Sequence, residues 1–348
     1  MPLIDSATHG VDAHYYAKKQ AVLVVASLAV MALGAFADYR DFVNLSPWIY
    51  GGSCVLLVLV LLVGQEVNGA TRWISLGVFP LQPSELAKLA MVLFYAWLLS
   101  RWEDPPSSYW DILSAYAWIL VPAALIMKEP DLGSALTLVA VATGCVYLAG
   151  APGDKIAKFG AFVVALAVAA VLLHLYAGLP LPLADYQVKR LVGLFNAHED
   201  PLGTGYQVLQ SKIAIGSGAL WGKGLGKGTQ NRLDFIPEQH TDFIFSVVGE
   251  ELGFVKTVLV LGVYVLLMYR CLIAATTSPD RKGTLVAGGV LSVFLFHVLV
   301  NVGMTMGIMP VTGVPLPFLS HGGSALLVDS FMIGMVINVG WKRHKIFF

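Results

Sequence analysis

Apolar residues are gathered into long runs that are separated by short polar segments. A helix needs roughly 20 apolar residues to cross a hydrocarbon layer of ~30 Å. Because lipid offers no partner to unpaired backbone groups, each run is predicted to be a helix. About nine transmembrane helices are predicted, at residues 20–37, 47–64, 84–100, 112–127, 132–149, 156–177, 244–269, 284–308 and 323–341.

One polar segment, residues 179–243, is much longer than the others and separates the sixth predicted span from the seventh. The chain has no repeat at a fixed period and no low-complexity segment. We therefore predict an all-α polytopic membrane protein with a single domain, residues 1–348, and one long loop within it.

Basic residues in short loops predict the orientation, because cytoplasmic loops are enriched in lysine and arginine. With a cytoplasmic C-terminus, ten basic residues lie inside and four lie in short outer segments. The inner set is Arg40, Arg101, Lys155, Lys158, Arg270, Arg281, Lys282, Lys342, Arg343 and Lys345, and the outer set is Lys18, Lys19, Arg72 and Lys128. This predicts an extracytoplasmic 179–243 loop and an outer N-terminus, as would follow if a first span were missing.

The composition agrees with a membrane protein and excludes some functions. Apolar residues make up 57% of the chain and charged residues 13%, whereas soluble domains average about 25% charged residues. The formal net charge of zero gives no indication of nucleic-acid binding. The three cysteines lie far apart in or beside apolar runs, which fits no metal spacing. No signal peptide is visible.

Two charged residues, Glu85 and Lys88, follow Pro83 at the outer end of the third span. A charge inside the membrane costs about 2.5–3.5 kcal/mol, so it needs a reason. At a spacing of three they share a helix face and neutralise each other. The pair either positions the span or lets Lys88 orient a catalytic carboxylate.

The segment Lys128-Glu129-Pro130-Asp131 forms the predicted outer turn between the fourth and fifth spans. Pro130 ends one helix, and Asp131 is placed to cap the next. Either Asp131 is only this cap, or Glu129 and Asp131 bind substrate or a metal ion.

Asp242 stands where the long loop enters the seventh span, close to Glu238 and His240. A carboxylate at a helix start is often an N-cap. Its position at the membrane surface, after a basic, glycine-rich loop, favours a catalytic role. Glu250 and Glu251 follow, and one of them is expected to be paired, with Lys256 or with a neighbouring span.

Eight glycines between residues 203 and 228 alternate with Lys212, Lys223 and Lys227. Glycine lets backbone N–H groups approach phosphate, and lysine supplies positive charge. The alternative is loop packing without a ligand. Residues 206–220 are predicted to form a short amphipathic helix at the membrane interface.

Glycine and proline are concentrated where the eighth span ends, before Ser320-His321-Gly322-Gly323-Ser324. Irregular backbone at this depth is tolerated where it lines a cavity. His321 is interpreted as a hydrogen-bonded cavity residue rather than a metal ligand.

Several motifs together resemble the SEDS family (shape, elongation, division and sporulation). They are Gln82-Pro83-Ser84-Glu85-Leu86-Ala87-Lys88, Glu129-Pro130-Asp131-Leu132-Gly133, Gln210-Ser211-Lys212-Ile213-Ala214-Ile215-Gly216-Ser217-Gly218, Gly228-Thr229-Gln230, Pro237-Glu238, His240-Thr241-Asp242-Phe243-Ile244-Phe245, Gly313-Val314-Pro315-Leu316-Pro317 and Gly322-Gly323-Ser324-Ala325. The resemblance runs from about residue 6 to the C-terminus. The Gly228 and Gly313 motifs favour the elongation branch of the family over the division branch.

The resemblance implies a multi-pass peptidoglycan glycosyltransferase of the bacterial cytoplasmic membrane with an extracytoplasmic active site. Such proteins polymerise lipid II onto a growing glycan strand and work with a class B penicillin-binding protein. The family has ten spans, so the first span is expected to be missing here. Asp329 within the ninth span and His321, where tyrosine is common, depart from the family pattern.

The resemblance also assigns roles to residues, with Asp242 as the catalytic base. Arg72, Lys189, Arg190 and Lys212 are candidates for holding the leaving diphosphate. Further supporting or substrate-binding candidates are Glu85, Lys88, Glu129, Asp131, Glu238, His240, Ser320, His321 and Ser324. Asp242, Glu129 and Asp131 could hold a divalent cation, Mg or Mn, and no organic cofactor is expected. The alternative function is a lipid II flippase or another polytopic transporter.

Overall fold

The computed structural model describes residues 13–67, 70–75, 80–177, 204–232, 235 and 240–342. Its helices lie at all nine predicted spans. They are α1 (Ala13–Phe36), α2 (Tyr39–Val63), α3 (Pro83–Ser100), α4 (Tyr109–Ala117), α5 (Leu120–Lys128), α6 (Leu132–Leu148), α7 (Gly153–Ala177), α8 (Thr204–Ser217), α9 (Thr229–Arg232), α10 (Ile244–Thr276), α11 (Arg281–Thr305) and α12 (Gly323–Lys342).

Within these described ranges, five helices are long and apolar enough to cross a membrane, and six if a bent pair counts as one span. The multi-pass membrane architecture is therefore confirmed, whereas the count of nine spans stays a prediction. The bent pair is α4 with α5, which meet at 45°. Pro122 near the start of α5 explains the break, because proline lacks an N–H and clashes with the carbonyl four residues earlier.

A small antiparallel sheet lies between α2 and α3, an element that the all-α prediction did not include. Its strands are β1 (Gln65–Val67), β2 (Ala70–Ser75) and β3 (Pro80–Leu81), in the order β1-β2-β3. Val67 pairs with Ala70 across the dipeptide Asn68-Gly69, which is a typical two-residue hairpin sequence. The sheet places Arg72 near the turn between α5 and α6.

Helix α11 is the central helix of the bundle and packs against α3, α6, α10 and α12. A large apolar core, including Leu57, Met91, Leu138 and Phe294, surrounds it. Two smaller apolar clusters are present, one around Ile244 that includes Leu316 and one around Phe243 that includes Val311. The segment that follows Asp242 and the loop around Gly313 therefore contribute side chains to packed apolar clusters.

Helix α10 is interrupted at Gly253, whose backbone is non-helical (φ 75°, ψ 177°). A Cβ at this position would lie 2.1 Å from the backbone nitrogen of Gly222, so only glycine fits. The interruption divides α10 into a buried segment that follows Asp242 and a long apolar helix. The continuous seventh span expected from hydropathy is therefore broken near its N-terminal end.

The glycine-rich loop fills this break. The N–H groups of Phe254 and Val255 donate to the carbonyls of Ala219 and Leu220, and the carbonyls of Glu250 and Glu251 accept from Lys223 and Gly224. Backbone groups released by the break are thus paired again, as a buried or lipid-exposed chain requires. Residues 218–226 therefore pack into the break in α10 and supply hydrogen-bond partners for its backbone.

Candidate functional site

Asp242 lies one residue before Phe243, the N-cap position of α10, and Phe243 makes no side-chain capping bond. The structure places the N-cap position one residue after Asp242, and the choice between capping and catalysis for this side chain stays a prediction. Its side chain is half-buried, and one carboxylate oxygen, Oδ2, would be 3.3 Å from a Cβ at Gly313. Gly313 has φ +77°, so both its conformation and its contact with Asp242 favour glycine.

The segment 240–242 is fastened to the loop at residues 313–321 by hydrogen bonds to its backbone carbonyls. Ser320 Oγ donates to the carbonyl of Thr241 (2.6 Å), and His321 N–H donates to the carbonyl of His240 (2.9 Å). Ser320 Oγ also accepts from the N–H of Leu316 (2.8 Å). The His240 and His321 rings are 6.2 Å apart. Four predicted site residues, Asp242, His240, Ser320 and His321, are therefore brought together.

Asn301 on α11 forms hydrogen bonds with both of these segments. Its side-chain amide donates to the carbonyls of Asp242 (2.8 Å) and Val314 (2.7 Å). Sequence reasoning gave Asn301 no role, since one polar residue near the end of an apolar run has no informative spacing. Its position four residues after His297, another buried polar residue on α11, is the signal that could have identified it.

The predicted ion pair between Glu85 and Lys88 is present and fully buried, with 2.8 Å between Nζ and Oε1. Lys88 Nζ also lies 3.4 Å from His297 Nε2, which is 3.3 Å from the hydroxyl of Thr137. The carboxyl group of Asp329, on α12, interacts electrostatically with both Lys88 and Glu85. The contacts described for Lys88 therefore join α3 to α11, and its orientation of a catalytic carboxylate stays a prediction.

Asp131 is the N-cap of α6 and accepts from Ser134 N (3.0 Å) and Ser134 Oγ (2.7 Å). Its capping interpretation is supported by these bonds. The start of α6 also touches the site loop, because a Cβ at Gly133 would be 2.5 Å from Val314 Cγ2 and 2.9 Å from the carbonyl oxygen of Thr312. The turn between α5 and α6 and the Asp242 segment thus both contact the 312–314 loop.

Glu129 is fully buried, and neither of its carboxylate oxygens has a hydrogen-bond partner among the described residues. Burial, reinforced by the nearby Asp131 carboxylate and partly opposed by Arg72, raises the pKa of Glu129 to about 8. Arg72 Nε donates to the carbonyl of Glu129 (2.7 Å), and Arg72 Nη2 donates to that of Pro130. Arg72 therefore fastens the turn to the small sheet.

Two further predicted residues, Ser324 and Lys212, contact other segments of the structure. Ser324 Oγ donates to the carbonyl of Pro80 and accepts from the N–H of Gln82, which attaches β3 to the start of α12. Lys212 is exposed on α8, with its ammonium group against Gly307. Lys189, Arg190 and Glu238 lie outside the described residues.

The N–H groups of the glycine-rich loop are directed at carboxylates of the chain itself. Glu250 Oε1 accepts from Thr229 N (2.8 Å), from Gln230 N (3.1 Å) and from the ammonium group of Lys223 (2.7 Å). Glu251 Oε2 accepts from Gly226 N (3.1 Å). The expected pairing of Glu250 is therefore with Lys223 rather than Lys256. These contacts favour loop packing over phosphate binding for residues 218–230.

Three comparisons place this arrangement among known proteins. A family model for cell cycle proteins of the FtsW/RodA/SpoVE type matches residues 2–345. The Escherichia coli (strain K12) protein "Peptidoglycan glycosyltransferase MrdB" is 39% identical over 323 residues, which cover 93% of this chain and 85% of the relative.

Two solved structures share the fold along almost the whole chain. The Thermus thermophilus rod shape determining protein RodA is 31% identical, with a TM-score of 0.71 over 99% of this chain and 93% of that protein. A chain of a peptidoglycan synthase complex that coordinates polymerization and crosslinking is 32% identical, with a TM-score of 0.79 over 99% of this chain and 94% of that one.

Proposed function

Because the chain belongs to the FtsW/RodA/SpoVE family of cell cycle proteins, we propose that it is a peptidoglycan glycosyltransferase that polymerises lipid II during cell elongation. The relative MrdB is named a peptidoglycan glycosyltransferase, and the Thermus neighbour a rod shape determining protein, which supports the proposal. The observation that carries it is Asp242, a half-buried carboxylate held against Gly313 by a network that grips the backbone on both sides.

The chemistry requires one base. The donor sugar of lipid II is α-linked to a diphosphate, and the bond formed in the glycan is β, so one inverting displacement suffices. Asp242 takes the proton from the acceptor 4-hydroxyl while that oxygen forms a bond to the donor C1. The bond between C1 and the diphosphate oxygen breaks, and the electron pair leaves with the prenyl diphosphate.

The departing diphosphate needs positive charge close to the site. Lys212 is exposed on α8, which packs on the buried segment of α10, and Arg72 lies at the outer turn. We assign Lys212 to the diphosphate, because Arg72 Nε and Nη2 already donate to backbone carbonyls of the turn between α5 and α6. Lys189 and Arg190 remain candidates from the sequence.

A divalent cation would need several oxygen or nitrogen ligands at one point. Among the described residues, no three His, Cys, Asp or Glu side chains form such a group. Asp131 is engaged with Ser134, and neither Glu129 carboxylate oxygen has a hydrogen-bond partner among the described residues. The described residues therefore do not form a preformed cation site, and the proposed mechanism contains no metal step.

The outer face of the cytoplasmic membrane is the proposed side of the site. The positive-inside count places Asp242 and the long loop opposite the cytoplasmic basic residues. Lipid II and the growing glycan strand are the proposed substrates. A class B penicillin-binding protein is the proposed partner, in line with the neighbour taken from a complex that coordinates polymerization and crosslinking.

Polymerisation of purified lipid II by the purified chain with a class B penicillin-binding protein, with and without EDTA, tests the proposal. We expect glycan strands in both conditions. The break in α10 and the buried charges around Lys88 are also features of transporters, so lipid II flipping in vesicles is the second assay. Flipping without any polymer would favour the transporter and overturn the proposal.

A further inference from the structure

Asn301 is fully buried, and the hydrogen bonds described for its side-chain amide are all to residues outside its own helix. Both hydrogen bonds from its Nδ2 atom leave α11, one to the carbonyl of Asp242 and one to that of Val314. These two carbonyls flank the contact between the Asp242 carboxylate and Gly313. One amide group thus sets the distance between the segment that carries the proposed base and the loop against which that base rests.

The hydrogen bonds described for residues 240 and 241 come from the loop at residues 313–321. Ser320 and His321 grip residues 240 and 241, whereas Asn301 grips residue 242 itself from within the bundle. His297 stands four residues before Asn301, on the same face of α11, and touches Lys88. The helix therefore connects the buried ion pair to the backbone of Asp242 through two successive polar side chains.

We propose that Asn301 is a positioning residue for polymerisation, holding Asp242 and the 313–314 turn in the relative position that general-base catalysis requires. The inference rests on the proposed function of the site. Without the amide, both carbonyls lose a buried donor, and the Asp242 segment gains freedom to move away from Gly313. Small displacements of a reacting group slow catalysis strongly and leave substrate binding largely intact.

A second buried asparagine supplies a matched control. Asn338 on α12 also links backbone groups of other elements, because its amide donates to the carbonyl of Ala35 (2.7 Å) and its oxygen accepts from Tyr39 N (3.2 Å). It lies at the opposite end of the bundle, beside the first residue of α2. Removing either side chain takes away the same chemical group and two buried hydrogen bonds.

The test compares Asn301→Ala, Asn338→Ala and wild type in lipid II polymerisation, per amount of folded protein. We expect Asn301→Ala to lower kcat at least about tenfold and to change KM by less than about threefold, since misplacement of a reacting group affects mainly the chemical step. Asn338→Ala should lower thermal stability and keep kcat within about twofold. A kcat within twofold of wild type for Asn301→Ala, a change confined to KM, or equal losses in both variants would overturn the inference.

If Asn301→Ala does not fold, Asn301→Ser takes its place under the same criteria. Serine keeps a polar hydroxyl group, but its shorter side chain has a single donor and cannot bond to both carbonyls. Hydrogen–deuterium exchange gives an independent readout. It should rise at residues 240–246 and 312–318 in the Asn301 variant and stay unchanged there in Asn338→Ala. Inactive wild-type protein would instead refute the proposed function, whereas active wild type with an equally active Asn301 variant refutes only this inference.

Discussion

Glu129 is a buried carboxyl group whose role depends on whether it carries a proton. Burial and Asp131 raise its pKa to about 8, so it is neutral at pH 7. Glu129→Gln should therefore keep polymerisation within about threefold of wild type at pH 7, because glutamine imitates the neutral acid. A tenfold or greater loss would instead indicate an ionised working form, as a metal ligand would be.

The same pKa fixes the direction of a stability change. Between the ordinary pKa of 4.5 and about 8, the unfolded carboxyl is ionised and the folded one is neutral, so folding takes up a proton. The wild type should lose thermal stability relative to Glu129→Gln as pH rises through this window and level off above it. Melting temperatures of the two proteins between pH 5 and 9 check this.

The Glu85–Lys88 pair has a structural contribution that must be separated from any functional one. Lys88→Met leaves Glu85 buried without its partner, and breaking a buried pair costs about 3–5 kcal/mol. The double variant Glu85→Gln/Lys88→Met should recover most of the melting temperature. Its polymerisation should stay at least about tenfold below wild type, since Lys88 also contacts His297. Full activity of the double variant would leave the pair a purely structural role.

The contacts made by single polar residues inside apolar runs could not be predicted from the sequence. Asp242, His240, Ser320 and His321 lie in glycine- and proline-rich segments that end predicted spans, so their proximity could be expected. Asn301, His297 and Thr137 act through contacts between helices whose relative rotation no periodicity specifies. The sequence located the ion pair, but its link to His297 required the packing of α3 against α11.

At the level of elements, the break in α10 depends on Gly253. Gly253→Ala would place a methyl group 2.1 Å from the nitrogen of Gly222 and expel the loop at residues 218–226. We expect a clear loss of thermal stability and of polymerisation, because backbone groups of the break lose their partners. Gly262→Ala is the control in the same helix, where a Cβ meets nothing within 4 Å.

Gly262→Ala should be neutral or stabilising by up to about 1 kcal/mol, since alanine is the better helix former. The melting temperature and polymer yield of Gly253→Ala and Gly262→Ala show whether the break in α10 is required. Equal behaviour of the two would mean that the break is dispensable. Hydropathy could not reveal the break in α10. A continuous apolar helix and one interrupted by a glycine with positive φ have the same mean hydropathy.

For the whole molecule, apolar run length located every long helix, since helices must pair their own backbone groups in lipid. It did not reveal the bend at Pro122 or the small sheet, which depend on a single proline and on pairing between short strands. The pairing of Glu250 with Lys223 required the loop to return onto α10. Such long-range returns leave no periodic pattern in the sequence.

Orientation is testable on the intact protein in cells. In a background without native cysteines, Lys227→Cys should react with a membrane-impermeant thiol reagent, and Pro279→Cys should not. Both residues are exposed, so accessibility differs only through the side of the membrane. The basic residues of the short loops set this expectation. Labelling of position 279 from outside would reverse the topology and the side assigned to the site.

The central claim is that Asp242 is the catalytic base, and Asp242→Asn tests it most directly. Asparagine keeps the shape of the side chain but cannot accept a proton at neutral pH, and general-base catalysis contributes ~10²–10⁴-fold. Asp41→Asn, at an exposed aspartate on α2, controls for the loss of a carboxylate. In lipid II polymerisation with equal amounts of folded protein, Asp242→Asn should make almost no glycan, while Asp41→Asn matches wild type. Retention of a third or more of wild-type polymerisation by Asp242→Asn would contradict the account.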